Sequence, residues 1–250
     1  MRNLITAFLT LLFFTVSAQE KIVQQKYQLP LLIGKEFNPV LRLAIPVKTA
    51  KTLTGISITI PSNADDIESV QLFAVHQDSA FITDSKLKKA DLVARTNGDK
   101  GKELHLKGDF KLKAGENYFW ITLTLKASAN LQHTLNLSVN NLLLDGEKIK
   151  VNQPKAVAQH VAVALRQHNE ENVHTHRIPG LTTANDGSLL AVYDARRTKG
   201  GDLQGDIDIG LSRSLDKGKT WLPMQVVLDM GEWGGLLQKF NGVSDACILV

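Results

Sequence analysis

Apolar and polar residues alternate in short runs along residues 20–150, and turn-forming residues separate the runs. Because successive side chains of a β-strand point to opposite faces, this alternation predicts strands with one buried face. Asp145-Gly146 is typical of a tight hairpin turn, and no segment has the repeat of an amphipathic helix. The pattern predicts an all-β chain that begins with a β-sandwich over residues 20–152, with strands at 40–45, 53–60, 69–75, 118–125 and 133–139.

The pattern changes near Asn152-Gln153-Pro154, which is the predicted domain boundary because proline interrupts strand pairing. Residues 155–250 are expected to form a second domain. Strands are predicted at 161–165, 189–193 and 207–211, and four strands between residues 178 and 226 are expected to form one sheet. The chain stops at Ile248-Leu249-Val250 inside an apolar run that is predicted to be a strand. We therefore expect the chain to be a fragment of a longer protein.

Residues 1–18 have the features of a secretory signal peptide. Arg2 provides the basic start, residues 4–16 form the apolar segment, and residues 16–18 are a small-residue cleavage site. The apolar segment is short for a membrane span, and polar residues 19–21 follow it. The sequence predicts export to the periplasm or the medium, with no transmembrane segment in the mature chain.

Composition and charge exclude some classes of partner. The formal net charge is +4, but the lysines are spread along the chain and form no basic run with interleaved aromatic residues, so no nucleic-acid partner is expected. Cys247 is the one cysteine, which excludes a disulfide within the chain, and we expect it to be buried. His174 and His176 could share one strand face, but no third ligand accompanies them, so no metal site is expected.

Residues 214–221 read S-x-D-x-G-x-T-W, which predicts a hairpin with defined turn chemistry. Asp216 can accept backbone N–H groups across the turn, and Gly218 adopts a positive φ without steric cost. Thr220 can hydrogen-bond locally, and Trp221 can pack under the loop. Together with Ser214, these residues resemble the Asp-box found in sialidases and in other β-propellers.

Upstream, Arg177-Ile178-Pro179 resembles the companion motif of the sialidase (neuraminidase) family, and the order of the two motifs matches that family. The resemblance implies that residues 155–250 are the first part of a six-bladed β-propeller, of which residues 178–226 form one blade. It also implies that the N-terminal sandwich is an accessory domain of the carbohydrate-binding kind. Asp-box glycosidases that are not sialidases lack the arginine clamp, so Arg177-Ile178-Pro179 weighs against that alternative.

The resemblance assigns roles to four residues. Arg177 is one of three arginines that clamp the substrate carboxylate, and Arg196 hydrogen-bonds the 4-hydroxyl of the sugar. Asp202, which follows Gly200-Gly201, is the general acid. Asp245 contacts the 4-hydroxyl region. Two further points stay open: Asp206 and Asp208 compete for the acid role, and Ala246 stands where the family usually has proline.

The implied reaction is retaining hydrolysis of terminal α-linked sialic acid, with a tyrosine nucleophile and no cofactor. The implied substrates are sialylated glycoproteins, gangliosides and oligosaccharides. None of the three tyrosines, Tyr27, Tyr118 and Tyr193, matches the position of the nucleophile, which is expected beyond residue 250. A sialoside-binding propeller without catalysis and a trans-sialidase remain as alternatives, and the sequence does not reveal linkage preference.

Overall fold

The computed structural model describes residues 22–27, 29–77, 81–98, 102–152 and 157–250. The predicted signal peptide and residues 153–154 of the predicted boundary lie outside the described residues, so both stay predictions. The chain divides into two compact units, of which the first ends at Val161 and the second begins at Ala162. Among the described residues, no helix has the length and hydropathy that crossing a membrane requires.

The first unit consists of antiparallel strands with little helix. A short helix, α1 (Asp84–Leu87), and a 3-10 turn (Ala64–Asp66) interrupt the strands. The strands are β1 (Val23–Lys26), β2 (Leu31–Ile33), β3 (Asn38–Val47), β4 (Lys51–Thr59), β5 (Ile67–Val75), β6 (Asp91–Asn97), β7 (Glu103–Leu112), β8 (Gly115–Leu125), β9 (Thr134–Leu135), β10 (Ser138–Leu144), β11 (Glu147–Lys150) and β12 (Gln159–Val163), whose last two residues belong to the second unit.

Two main sheets bury one hydrophobic core between them, which is the arrangement of a β-sandwich. Their strand orders are β1-β3-β8-β5-β6 and β11-β10-β4-β7, and a small third sheet is ordered β2-β12-β9. Alternation along β8 explains the layering. Phe119 and Ile121 are buried in the main core, whereas Trp120 belongs to a second cluster with Tyr27 and Phe73. The all-β class predicted from the sequence is confirmed.

The Asp145-Gly146 hairpin is also confirmed. It joins β10 to β11, and both turn residues have positive φ values of 51° and 82°. The predicted strand at 161–165 lies slightly earlier, as β12. Its residues Gln159 and His160 pair with β9 of the first unit.

The second unit is one four-stranded antiparallel sheet with sequential strand order β13-β14-β15-β16. The strands are β13 (Thr175–Thr183), β14 (Leu189–Arg196), β15 (Ile207–Ser214) and β16 (Gln225–Leu228), and 3-10 turns lie at Glu170–Asn172 and Gln238–Phe240. The central strands β14 and β15 are the most buried, and all four residues of β16 are exposed.

Two expectations for the end of the chain are wrong. Residues 243–250 form no strand, and Cys247 is exposed. An apolar run becomes a strand when a neighbouring strand satisfies its N–H and C=O groups. Gly242 makes an isolated bridge to Ile207 and the N–H of Val243 donates to the carbonyl oxygen of Ile207, but residues 244–250 pair with no strand among the described residues.

Candidate functional site

The Arg177-Ile178-Pro179 segment forms a β-bulge in the pairing of β13 with β14. Arg177 lies opposite Asp194, but the next regular pair is Gly180 with Val192. Ile178 has a φ of +52°, which is unusual for a β-branched residue. Bulges bend a strand and re-aim the side chains beside them. The bulge therefore sets the direction in which Arg177 leaves the sheet.

The strand register brings three charged side chains to one face. Arg177 is the cross-strand partner of Asp194, and Arg196 follows Asp194 at the next same-face position of β14. Directly paired residues share a face, and so do residues two apart on one strand. The end of the sheet where β14 stops at Arg196 thus presents two arginines with an aspartate between them.

Both arginines converge on the carboxylate of Asp202. Nη1 of Arg196 donates to Oδ1 of Asp202 at 2.7 Å, and Nη1 of Arg177 donates to the same oxygen at 3.4 Å. The same two nitrogens also donate to the carbonyl oxygen of Gly200, at 3.1 and 3.2 Å. The arrangement holds one carboxylate oxygen between two guanidinium groups, which is a geometry that binds anions.

The three groups differ in exposure. The side chain of Arg196 is 1% exposed and that of Arg177 is 43% exposed, whereas that of Asp202 is 78% exposed. The hydrogen bond from Arg196, followed by the charges of Arg196 and Arg177, lowers the pKa of Asp202 below its usual value. In this state Asp202 is an ionised carboxylate at neutral pH, and a molecule in solvent can reach it.

Asp194 connects two of the sequence-predicted residues. Its Oδ2 accepts from Nη2 and Nε of Arg196, at 2.8 and 3.3 Å. Its Oδ1 accepts from the backbone N–H of Asp245 at 3.0 Å. Asp245 itself is exposed and has a φ of +61°. The structure therefore links Arg196 and Asp245 through one buried aspartate, and Arg196 in turn binds Asp202 beside Arg177.

Asp206 and Asp208, the competitors for the acid role, lie elsewhere in the sheet. Oδ2 of Asp208 accepts from Nε and Nη2 of Arg197, at 2.9 and 2.5 Å. The backbone carbonyl of Asp206 accepts from the N–H of Arg197. Asp208 pairs in register with Ala195, so it lies on the face opposite to Asp194.

A polar network on that opposite face fixes the centre of the sheet. Oη of Tyr193 lies 2.7 Å from Oγ of Ser212, and Arg166 donates to both of these oxygens at 3.1 and 2.7 Å. His176 packs against Tyr193 edge to face, and its partner in the predicted histidine pair, His174, contacts Thr175 through Nδ1. This network anchors β14 from behind, on the face away from Arg177 and Arg196.

The Asp-box residues make the turn after β15. Asp216 accepts from the N–H and the hydroxyl of Thr220 at 2.9 and 2.6 Å, and from the hydroxyl of Ser214 at 2.8 Å. The N–H of Gly218 donates to Oγ of Ser214 at 2.8 Å, and Gly218 has a φ of +85°. A Cβ added at Gly218 would lie 3.9 Å from Cζ2 of Trp221. The motif thus forms a closed hydrogen-bonded loop beside the indole ring.

Asp216→Asn should loosen this loop. An amide at position 216 keeps one acceptor but loses the negative charge that binds Thr220. We expect the amide hydrogens of residues 218 and 220 to exchange with deuterium about 5- to 10-fold faster at neutral pH. The turn amides next to Asp186, which binds the N–H and hydroxyl of Ser188, serve as the internal control. Equal exchange rates in variant and wild type would contradict the role of the Asp216 carboxylate in holding the loop.

The same loop should respond to acid in a defined direction. The hydrogen bonds from Thr220 lower the pKa of Asp216 from its ordinary value of 3.8 to about 2. A carboxyl with a lowered folded-state pKa stabilises the fold fully above its ordinary pKa, and this contribution is lost as the pH falls through about 2. The difference in free energy of unfolding between Asp216→Asn and wild type should therefore shrink as the pH falls from 3.8 to about 2.

Sequence reasoning missed Asp194, although it lies in the same short segment as Arg196. A carboxylate two residues before an arginine on one strand is a signal that could have identified the pair, because such residues share a face. The contact with Asp245 had no such signal. It joins residues that are 51 positions apart.

Comparison with known proteins gives three consistent matches. Residues 19–148 match the family profile described as the N-terminal domain of BNR-repeat neuraminidase. A sialidase of Bacteroides fragilis is 33% identical in an alignment 263 residues long, gaps included, that covers 94% of this chain and 47% of the relative. A sialidase of Micromonospora viridifaciens is 41% identical over 86 residues, which cover 34% of this chain and 12% of the relative.

A solved structure described as a Hadza microbial sialidase is similar to this chain with a TM-score of 0.75 and 26% identity. The match covers 88% of this chain and 47% of that structure. The chain therefore spans about half the length of the solved structure and of the Bacteroides fragilis relative.

Proposed function

The chain belongs to the family of BNR-repeat neuraminidases, and on that premise we propose that the whole protein hydrolyses terminal α-linked sialic acid of glycoconjugates. This chain supplies the groups that bind the substrate carboxylate and protonate the leaving oxygen. The observation that supports the proposal best is the convergence of Arg177 and Arg196 on one carboxylate oxygen of Asp202.

Sialic acid has a carboxylate on its anomeric carbon, and the guanidinium of Arg177 suits that group. A guanidinium matches a carboxylate with parallel hydrogen bonds and remains charged at every working pH. Arg177 is partly exposed and binds the substrate carboxylate. Arg196, which is buried, and Asp245 hydrogen-bond the sugar around its 4-hydroxyl.

Asp202 is the proposed general acid, and its position in the free protein has a consequence for that role. A general acid must be protonated, but the hydrogen bond and charge of Arg196 lower the pKa of Asp202. The substrate carboxylate offsets the charge of the arginines when it replaces Asp202 beside Arg177. The pKa of Asp202 then rises, and the adjacent Gly200 and Gly201 let the carboxyl group move to the leaving oxygen.

The nucleophile is proposed to be a tyrosine in the part of the protein outside this chain. A carboxylate nucleophile would be repelled by the substrate carboxylate, so sialidases depart from the usual pair of carboxyl groups and retain the anomeric configuration. Tyr193 is unsuited, since it binds Ser212 and Arg166 on the face opposite to Arg177. Tyr27 and Tyr118 belong to the first unit.

The antiparallel sheet β13–β16 is proposed to be the first blade of a six-bladed propeller. Each blade of a propeller is a four-stranded antiparallel sheet, and the sequential strand order of β13–β16 fits that plan. The exposed residues of β16 fit a strand that contacts a further blade. Residues 1–18 are proposed to direct export to the periplasm or the medium, where sialylated glycans are accessible.

The proposal is tested by incubating the whole protein with α2-3- and α2-6-linked sialyllactose and measuring free sialic acid by chromatography. Release of sialic acid is expected, and proton NMR at early times should detect the α-anomer first because the mechanism retains configuration. Absence of release from both linkages would contradict a hydrolase. Release of the β-anomer first would contradict the retaining mechanism.

A further inference from the structure

Asp194 is the most deeply buried charged residue of the second unit, and its two oxygens have separate partners. The side chain is 0% exposed. Oδ2 binds Nε and Nη2 of Arg196, and Oδ1 binds the backbone N–H of Asp245. A buried carboxylate is costly unless it is paired and hydrogen-bonded, and here both oxygens are satisfied. Such a group holds its partners in one arrangement.

The pairing determines which nitrogen of Arg196 faces the site. Nε and Nη2 are directed at Asp194, which leaves Nη1 pointing at Asp202 and the Gly200 carbonyl. An arginine without this partner could rotate its planar fork or withdraw from the site. The carboxylate therefore sets the orientation of the guanidinium before any ligand arrives.

The second oxygen sets the position of Asp245. Asp245 has a left-handed φ of +61°, a conformation that is uncommon for residues other than glycine. Its N–H is held by Oδ1 of Asp194, and its side chain is exposed. The hydrogen bond fixes the backbone from which the Asp245 carboxylate reaches solvent.

We propose that Asp194 is a positioning residue that couples Arg196 and Asp245 into one binding element for the sugar hydroxyl, next to the carboxylate-binding Arg177. The inference rests on the proposed function, in which Arg196 and Asp245 contact the 4-hydroxyl. Asp194 does not contact the substrate. It acts by holding the two residues that do.

Asp194→Asn in the whole protein tests this role, with Asp208→Asn as the matched control. Asp208 is also buried and also binds Nε and Nη2 of an arginine, Arg197, but on the opposite face. The asparagine at position 194 can still accept from Asp245, whereas its NH₂ group cannot accept from Arg196. Each variant therefore removes an ion pair in which one carboxylate oxygen accepts from Nε and Nη2 of an arginine, and one of these pairs lies at the site.

The measurement is kcat/KM for an aryl sialoside and for its 4-deoxy analogue. For wild type and Asp208→Asn, kcat/KM should be about 10- to 100-fold lower on the 4-deoxy analogue than on the aryl sialoside, the scale of a lost hydrogen bond to a charged group. Asp194→Asn should process the two substrates within about threefold of each other. A merely structural role would lower both rates and leave their ratio unchanged.

The outcomes separate this inference from the proposed function. An inactive wild type overturns the proposed function, and the inference with it. An active wild type with an unchanged substrate ratio in Asp194→Asn overturns the inference alone. If Asp194→Asn does not fold, Asp194→Glu replaces it with Asp208→Glu as control, and retained 4-hydroxyl discrimination in Asp194→Glu is again the contradicting result.

Discussion

Asp202→Ala in the whole protein should reduce kcat/KM on natural sialosides by about 10²- to 10⁴-fold, the contribution of a general acid whose leaving group needs a proton. The loss should be far smaller on sialosides of activated phenols. A phenolate leaves almost unaided, so the variant is impaired mainly in activating water for the second step. The exposed position of Asp202 beside Arg177 and Arg196 is the structural reason to expect this role.

Asp206→Ala is the control for this prediction. Asp206 lies four residues beyond Asp202, but its backbone carbonyl accepts from the backbone N–H of Arg197, and no contact joins it to Arg177 or Arg196 among the hydrogen bonds of the described residues. Asp206→Ala should lower kcat/KM by the same factor on natural and activated substrates, and by less than Asp202→Ala does. Equal losses for Asp202→Ala on natural and activated substrates would remove Asp202 from the acid role. A leaving-group-dependent loss in Asp206→Ala would assign the role to Asp206.

Arg177→Ala should reduce kcat/KM on both substrate types by the same factor, because both have the carboxylate that Arg177 binds. About 10- to 100-fold is expected, the scale of a broken hydrogen bond between charged groups. Arg213→Ala is the matched control. Arg213 is also 43% exposed and also pairs with an aspartate, Asp186, in the same unit. A comparable loss in Arg213→Ala, or a loss in Arg177→Ala confined to one substrate, would contradict carboxylate binding.

Local sequence patterns predicted the strands and turns that depend on only a few consecutive residues. The alternation along 118–125 gave β8, and the Asp145-Gly146 turn formed as expected because both residues tolerate positive φ. The Asp-box contacts join residues at most four positions apart. Such features depend on neighbours in the chain, so a sequence can specify them without knowledge of the tertiary structure.

The site depended on register, which local patterns do not define. Arg177 lies opposite Asp194 because β13 pairs with β14 in one register, and this register is interrupted by the bulge that follows Arg177. A shift of one residue would move Arg177 to the opposite face of the sheet, toward Tyr193. The importance of Asp194 also arises from Asp245, which approaches it from a distant part of the chain.

At the end of the chain, a local pattern predicted a strand that the structure does not have. The apolar run 246–250 has the composition of a strand, but strand formation needs a partner with free N–H and C=O groups. Among the described residues no strand pairs with this run, and Cys247 is exposed where its composition predicted burial. Propensity specifies what a segment can form, and pairing decides whether it does so.

The central claim is that Arg177 binds the substrate carboxylate, at a position beside Arg177 and Arg196 that Asp202 occupies in the free protein. The most direct measurement is kcat/KM for an aryl sialoside and for its carboxyl methyl ester, with wild type and with Arg177→Ala. For wild type, kcat/KM should be about 10- to 100-fold lower on the ester, because esterification removes the charge that the Arg177 guanidinium binds. Arg177→Ala should lose much less on the same change. Equal cleavage of acid and ester by wild type, or an equal loss in the variant, would contradict the claim.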